Sequence, residues 1–363
     1  MLILSYIVLV FTVIQMLVAL VNLLFETYLP GSDELEGALV SVLIPARNEE
    51  NNISNVLDDL IHQQYRNIEV IVFNDQSDDR TAEIVTELTF LDNRISLVSS
   101  DGLPEGWLGK NYACHSLSQR ARGKYLLFLD ADVRISNNVI GRAISFAEKK
   151  KLDLISIFPS QEIISFGEKI TVPNMNYILV SLLPLILVRK SKFPSLAAAN
   201  GQFMFFTANT YNSMNPHKMV KSNKVEDISI ARLYKSIGNK VACMLGDDSL
   251  SCRMYSGFND AVRGFSKNVI AYFGNSFVLA SLFWIITSSG FILILSKLPP
   301  AIIMVYIILY LSTRIIISKV SMQNIFYNLL YIIPLQFSLA LFIYHSFINK
   351  NFRKFQWKGR SVN

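Results

Sequence analysis

Cysteine is scarce in this 363-residue chain, and the three present, Cys114, Cys243 and Cys252, are odd in number and lack metal-ligand spacing. That argues against a disulfide framework or a cysteine-held zinc and fits reduced thiols on the cytoplasmic side of a membrane. No Gly-x-Gly-x-x-Gly follows any expected strand, which argues against a dinucleotide-binding oxidoreductase. The middle of the chain has no basic stretch interleaved with stacking aromatics, so nucleic acid is not an expected partner. Repeats are missing, and so is low-complexity sequence beyond the apolar ends. Charge is sparse too: 17% of residues are charged against 51% hydrophobic, and the mean hydropathy of +0.34 is high for a purely soluble protein. The formal net charge of +6 fits attraction to anionic lipid heads, or simply the basic excess expected on a cytoplasmic face.

The first 25 residues contain no charged side chain and are long enough to cross a hydrocarbon core of roughly 30 Å. A cleaved signal is the competing reading, but there is no basic leader and no small-residue cleavage site, so an anchor over 1–25 is expected. Residues 271–348 are again mostly apolar, interrupted by "SKLPP" and by a stretch holding Arg314 and Lys319. Two or three transmembrane or interfacial helices are expected there, followed by a basic cytoplasmic tail over 349–363. The positive-inside tendency asks both the tail and the Arg314–Lys319 stretch to lie in the cytoplasm. Three full C-terminal spans cannot satisfy both, so one segment is expected to be re-entrant or interfacial.

Between the apolar ends, residues 38–270 read as an α/β domain. "ALVSVLIPA", "NIEVIVFND" and "GKYLLFLDADV" are β-branched or apolar runs of buried parallel strands. "NNISNVLDDLIHQQ" places Ile53, Val56, Leu57, Leu60 and Ile61 at helical spacing. "DRTAEIVTEL" follows Asp79 as a cap. Ligands of such sheets bind beyond the carboxyl ends of the strands, where this chain has "PARNEE", "NDQSDD" and "DADV". Asp130 and Asp132 stand two apart in an extended segment and so point to one side. Both can face a hard cation such as Mg²⁺ or Mn²⁺ whose open positions phosphate oxygens fill. A solvated turn is the ordinary alternative, and Arg47, Glu49 and Asp75 singly read equally well as loop and Asx-turn residues.

In order along the chain, "VSVLIPARNEENNI", "EVIVFNDQSDDRT", "GKYLLFLDADV" and "KVEDISIARLYKSIG" resemble the motifs of family 2 glycosyltransferases, inverting enzymes of GT-A fold. The resemblance implies a nucleotide-diphospho-sugar donor, a UDP-sugar being the expected form. It implies that Pro45, Arg47, Glu49 and Asp75 line the nucleotide pocket and that Lys110 lies near the donor. It also implies that Asp130 and Asp132 bind metal and diphosphate, and that Asp227 is the catalytic base. "FNDQSDD" departs from the family's paired aspartates and glycine at Asn74 and Gln76, which leaves the base contacts open. "PEGWLGKNYAC" and "CRMYSGFNDAVRGFSKN" are similar to membrane-bound members associated with carotenoid and hopanoid pathways. The Gln-x-x-Arg-Trp motif of processive synthases is missing around Arg253, which favours transfer of a single sugar.

A lipid acceptor is expected from the length given over to membrane segments. Arg253 or Lys267 is expected to hold an anionic group of it, and Gln202 is grouped with them. Residues 170–188, broken by Pro173 and Pro184, are expected as an interfacial helix, with a core segment as the alternative. Trp107 and Phe265 read equally as core aromatics or substrate contacts. His217 reads as an exposed loop residue, with a helper role as the alternative. A processive polysaccharide synthase, a polyprenyl-phosphate glycosyltransferase and a non-catalytic nucleotide-binding membrane protein remain as other readings.

Overall fold

The computed structural model describes residues 1–32, 35–352, 355–357 and 360–362, with no account of side chains from 350 onward. The basic tail expected over 349–363 therefore falls almost wholly outside the described side chains. Ten strands build the site-bearing domain: β1 Val40–Ala46, β2 Ile68–Asn74, β3 Ile95–Ser99, β4 Tyr125–Leu129, β5 Val133–Ile135, β6 Leu154–Phe158, β7 Ser160–Gln161, β8 Phe203–Thr207, β9 Val241–Leu245 and β10 Leu250–Cys252. Seven form a mixed sheet in the order β3-β2-β1-β4-β8-β6-β9, and β5, β10 and β7 form a small second sheet. β1 lies parallel between β2 and β4, with Val42 opposite Val70 and Leu127, so the carboxyl ends of all three open on one edge. β8 runs antiparallel between β4 and β6, with Phe128 opposite Met204.

Apolar side chains leave both faces of these strands, which is why the runs are continuous rather than alternating. One face packs Val42, Ile44, Val72 and Leu127 against Ile53, Val56, Leu57 and Leu60 of helix Ile53–Ile61. The other packs Leu43, Phe73 and Phe128 against Leu117 and Tyr234. Helix Thr81–Leu91 starts as expected, with an Asp79 carboxylate oxygen accepting the Thr81 N–H at 3.0 Å.

Four helices are long and apolar enough to cross a membrane: Leu2–Leu24, Phe277–Lys297, Pro300–Val320 and Ile332–Asn349. In the first, the buried positions are Ser5, Val8, Thr12, Gln15, Ala19 and Asn22, while Leu2, Ile3, Ile7, Val10 and Leu17 are exposed. This is a soluble helix turned inside out, as expected where lipid is the solvent and polar groups hold helices together. Ser5 donates to the Leu293 carbonyl at 3.1 Å, and Gly290 lets Val8 approach so closely that an added Cβ would lie 2.8 Å from it. The far end of helix Phe277–Lys297 thus meets the start of the first helix. Helix Pro300–Val320 returns, with Thr313 beside Met16 and Tyr28 donating to the Val320 carbonyl at 2.6 Å.

Helix Ile332–Phe352 behaves differently from the other three. Tyr331, just before it, packs edge-on against Phe166 of the α/β domain, and Ser338 donates to the Ile170 carbonyl at 2.6 Å. Phe342 meets Phe265, and Phe347 meets Phe277, the domain-side start of its neighbour. Gln336 accepts from Trp284 at 2.9 Å and from Thr287 at 3.3 Å, so this helix runs antiparallel to the first turns of helix Phe277–Lys297 while its start touches the domain.

Two expectations are corrected here. Residues 170–188 do not form one helix with a free apolar face: helix Pro173–Leu182 is buried along residues 173–181, and helix Leu185–Lys190 follows it. Polar residues cause this, since Asn22 donates to the Val180 and Leu183 carbonyls and Asn174 donates to the Leu335 carbonyl and to Ser338. Nor does the stretch holding Arg314 interrupt the apolar run. Arg314 is buried within helix Pro300–Val320, its guanidinium 3.6 Å from the centre of the Tyr177 ring, an arrangement in which ring electrons face the cation.

Candidate active site

The edge made by β1, β2 and β4 is held in shape by its own loops. Arg47 donates to the Asp75 and Gln76 carbonyls at 2.6 and 3.1 Å, and the Asp75 N–H reaches the Ala46 carbonyl at 2.8 Å. Asn48 and Gln76 take left-handed backbone conformations, with φ of 53° and 54°, which turns both loops sharply. Asp75 is 2% exposed, Pro45 and Glu49 are half-buried, and Glu49 accepts a hydrogen bond from Asn52. Asn74, one of the departures from the family pattern, accepts the Ser77 N–H.

β4 ends in Leu129, so Asp130 and Asp132 follow directly at the edge. Asp130 accepts from the Lys110 ammonium at 2.7 Å, and the Glu226 carboxylate lies 3.6 Å from the same nitrogen. Lys110 also donates to the Gly201 carbonyl at 3.3 Å, and the Gly201 N–H donates to Asp227 at 3.1 Å. Asp227 receives the Ile228 N–H at 2.7 Å on its other oxygen. A Cβ on Gly201 would lie 3.1 Å from the Lys110 nitrogen and 3.2 Å from a Glu226 oxygen, so a larger residue there would push both side-chain ends aside by a few tenths of an ångström.

Two devices bring helix Glu226–Ser236 to Lys110. The buried Asn111 amide donates to the carbonyls of Val220, Lys221 and Asn223, and Asn223 in turn accepts from the Val225 N–H and donates to Ser229. Glu226 and Asp227 then sit in the first turn of the helix, where the helix dipole favours negative charge. Burial nonetheless raises the Asp227 carboxyl above the ordinary range, and burial pushes Glu226 up to about 7 despite the opposing pull of Lys110. Burial opposes the charge of Lys110, yet Asp130 and Glu226 hold its ammonium above the usual lysine range.

Asp132 is pushed up to about 6 by burial and by the Asp130 and Glu49 carboxylates. The Gln202 amide lies 3.5 Å from both its oxygens and donates to the Cys252 sulfur at 2.8 Å. Among the described residues, no three histidine, cysteine or carboxylate side chains cluster in a way that could hold a metal ion.

Lys110, Asp130, Asp132, Gln202 and Asp227 are thus gathered, with Pro45, Arg47, Glu49 and Asp75 along the same edge. Arg253 lies apart from the cluster, its guanidinium 2.9 Å from the buried Glu168. Burial works against the Glu168 charge, but Arg253, the Ile164 N–H and Ser165 hold its carboxyl below the usual range. Lys267 is half-buried, and burial lowers its ammonium. Phe265 is core, between Tyr255 and Phe342, and Trp107 stacks on His115.

The reading of His217 as an exposed loop residue is overturned. It is 1% exposed, contacts the Tyr211 hydroxyl at 2.6 Å through Nδ1, and is driven down to about 3 by burial, Lys110 and His115. It is a neutral core histidine. Glu226 was passed over in the sequence, where only its adjacency to Asp227 in "VED" signals a shared place.

Residues 41–208 match the family model described as glycosyl transferase family 2. The chain is 31% identical over 233 residues to the 4,4'-diaponeurosporenoate glycosyltransferase of Staphylococcus haemolyticus, covering 63% of this chain and 60% of that one. It is 27% identical to the protein of the same name from Staphylococcus aureus, with the same coverage. The chain thus spans about 60% of the length of these relatives. Among solved structures, the mannosyltransferase PcManGT of Pyrobaculum calidifontis superposes with a TM-score of 0.57 at 14% identity, covering 96% of this chain and all of that one. Residues 41–208 are thus similar to a family 2 glycosyl transferase domain, the fold is shared with a solved mannosyltransferase, and among the described residues one N-terminal and three C-terminal helices are long and apolar enough to cross a membrane.

Proposed function

We propose that this protein moves one sugar from a nucleotide-diphosphate sugar to a lipid acceptor, with inversion at the anomeric carbon. The observation that carries the reading is the convergence of Lys110, Asp130, Glu226 and Asp227 around Gly201 at the carboxyl edge of the sheet. The donor's nucleotide lies along Pro45, Arg47, Glu49 and Asp75, and its diphosphate beside Lys110. As the acceptor oxygen bonds to the anomeric carbon, the bond from that carbon to the diphosphate oxygen breaks. An acceptor hydroxyl passes its proton to Asp227 as it attacks, whereas an acceptor carboxylate brings no proton and attacks directly; in both cases the nucleoside diphosphate leaves with its charge facing Lys110.

The residues also fit a divalent cation. Asp130 and Asp132 follow β4 at the sheet edge, and burial, then the Asp130 and Glu49 charges, raises the Asp132 carboxyl, a cost that a cation there would offset. Asp132 and Asp130 would hold Mg²⁺ or Mn²⁺, which when bound adds positive charge beside the departing diphosphate. PcManGT was solved with GDP-Man and Mn²⁺, which is consistent with that chemistry on this fold.

A carotenoid-like carboxylic acid is the acceptor class suggested by the relatives' names. Helix Ile332–Phe352 supports a definite topology. Its start touches Phe166 of the domain and Phe347 touches the domain-side start of helix Phe277–Lys297, contacts that support a position at the interface with the other three helices crossing. With the domain cytoplasmic, as nucleotide-sugar donors require, Lys319 and the basic tail then both fall on the cytoplasmic side of the cell membrane. This removes the conflict that three C-terminal crossings would create. Membranes containing the protein, given radiolabelled UDP-sugars and an acid-carotenoid or total lipid extract with Mn²⁺, are expected to place label in the organic phase. Label confined to water-soluble product would overturn the lipid acceptor.

A further inference from the structure

Next to the Lys110–Asp227 cluster lies an open cavity of about 420 Å³ whose lining includes Leu179, Leu182, Leu196, Ala198, Ile228 and Tyr272. Arg232 is the only charged residue among those that line it. It stands one turn beyond Ile228 on helix Glu226–Ser236, and residues four apart on a helix share a face. Among the described residues the Arg232 guanidinium has neither a hydrogen-bond nor an ion-pair partner, whereas Arg253 is paired with Glu168.

The walls are fixed rather than collapsed. Lys235, one turn from the rim, is 4% exposed and donates to the Val188 and Leu196 carbonyls at 2.9 Å each. Ser156 of β6 receives the Asn200 N–H at 2.7 Å and donates to its carbonyl at 3.0 Å. The turn 199–201 is therefore a rigid partition, with Ala199 lining the cavity on one side and Gly201 holding Asp227 on the other. Tyr272 connects the two spaces: burial, then the Asp227 charge, raises its phenol above the ordinary range. The cavity wall at Ala271, Tyr272 and Gly274 leads directly into helix Phe277–Lys297, so the cavity adjoins the membrane side.

We propose that this cavity seats the acceptor as a long-chain carboxylic acid, with its apolar body against the cavity walls and its carboxyl group read by Arg232. The assignment rests on the lipid-acceptor reading and adds the residue that distinguishes an acid from a neutral lipid. An unpaired guanidinium in an apolar wall rewards a carboxylate with a charge-assisted pair and leaves an ester or alcohol without one. The remainder of a long tail passes out beside the first residues of helix Phe277–Lys297.

The full chain in nanodiscs of zwitterionic lipid, titrated with the fluorescent polyene cis-parinaric acid and with its methyl ester, tests this. Wild type is expected to bind the acid at least about tenfold tighter than the ester, the scale of a single charge-assisted bond. Arg232→Gln should bring the two within about twofold while binding of a UDP-sugar is unchanged. Ser195→Trp, an exposed position on the cavity wall, should weaken both ligands together without threatening the fold. Retained preference for the acid in Arg232→Gln, unchanged binding in Ser195→Trp, or tighter Arg232-dependent binding of dodecyl phosphate than of the acid would each overturn the assignment. Wild type that binds UDP-sugar but not the acid refutes the cavity assignment alone. Wild type that binds neither counts against the glycosyltransferase reading itself.

Discussion

At Glu226 the balance between burial and a neighbouring cation becomes measurable. Its carboxyl rises from 4.5 to about 7 on folding, so between those values the folded chain holds more protons than the unfolded one. Stability from this group is complete below the unfolded value and is lost as pH rises through the folded value. Thermal unfolding of the donor-free protein is therefore expected to show falling stability from about pH 4.5 to 7, and Glu226→Gln to show a shallower fall. Identical slopes in the two proteins would contradict the placement of Glu226 beside Asp227 in a poorly solvated turn. Sequence alone showed Asp227 through its motif and left Glu226 unread, because a charged residue before a helix looks like an ordinary helix-dipole partner. His217 was misread for the same kind of reason: "MNPHK" is polar in sequence, yet Tyr211 and Phe128 enclose the ring.

Among the elements, the strands were the most legible. β1, β2 and β4 are short, mostly apolar runs rich in β-branched and aromatic residues, as strands buried on both faces are. The membrane helices were legible as apolar lengths but not as partners, since what sets their packing is a handful of polar residues, Ser5, Gln15, Asn22 and Asn174. Those residues also explain why residues 170–188 are enclosed, where apolar composition alone suggested an exposed interfacial face. Helix Ile332–Phe352 is the converse case: its composition allows a crossing, and the topology proposed above keeps it at the interface. Single cysteines at Glu105, Lys297 and Asn349, tested with a membrane-impermeant maleimide on intact cells and on inverted vesicles, separate these readings. The three native thiols are buried and contribute little background. Labelling from outside is expected at Lys297→Cys only, with Glu105→Cys and Asn349→Cys reacting from the cytoplasmic face. Outside labelling at Asn349→Cys would make the fourth helix a full crossing.

Across the whole molecule, the first helix and the domain are bolted together, and this fixes the height of the active site above the bilayer. The Leu245 N–H reaches the Thr27 carbonyl at 2.8 Å, and Arg142 donates to the Pro30 carbonyl at 3.1 Å and to Asp247 at 2.6 Å. In the proposed function Asp227 is the base, and it is the residue on which the account turns. The most direct measurement compares wild type and Asp227→Asn in the same membranes, following both UDP-sugar affinity and the rate at which labelled sugar enters the lipid phase. With an acceptor hydroxyl, whose proton Asp227 would take, the account predicts donor affinity within about threefold and a transfer rate lower by a factor on the order of 10² or more, the usual scale for loss of a general base. Near-normal transfer by Asp227→Asn, with labelled lipid accumulating at the wild-type rate, would contradict it.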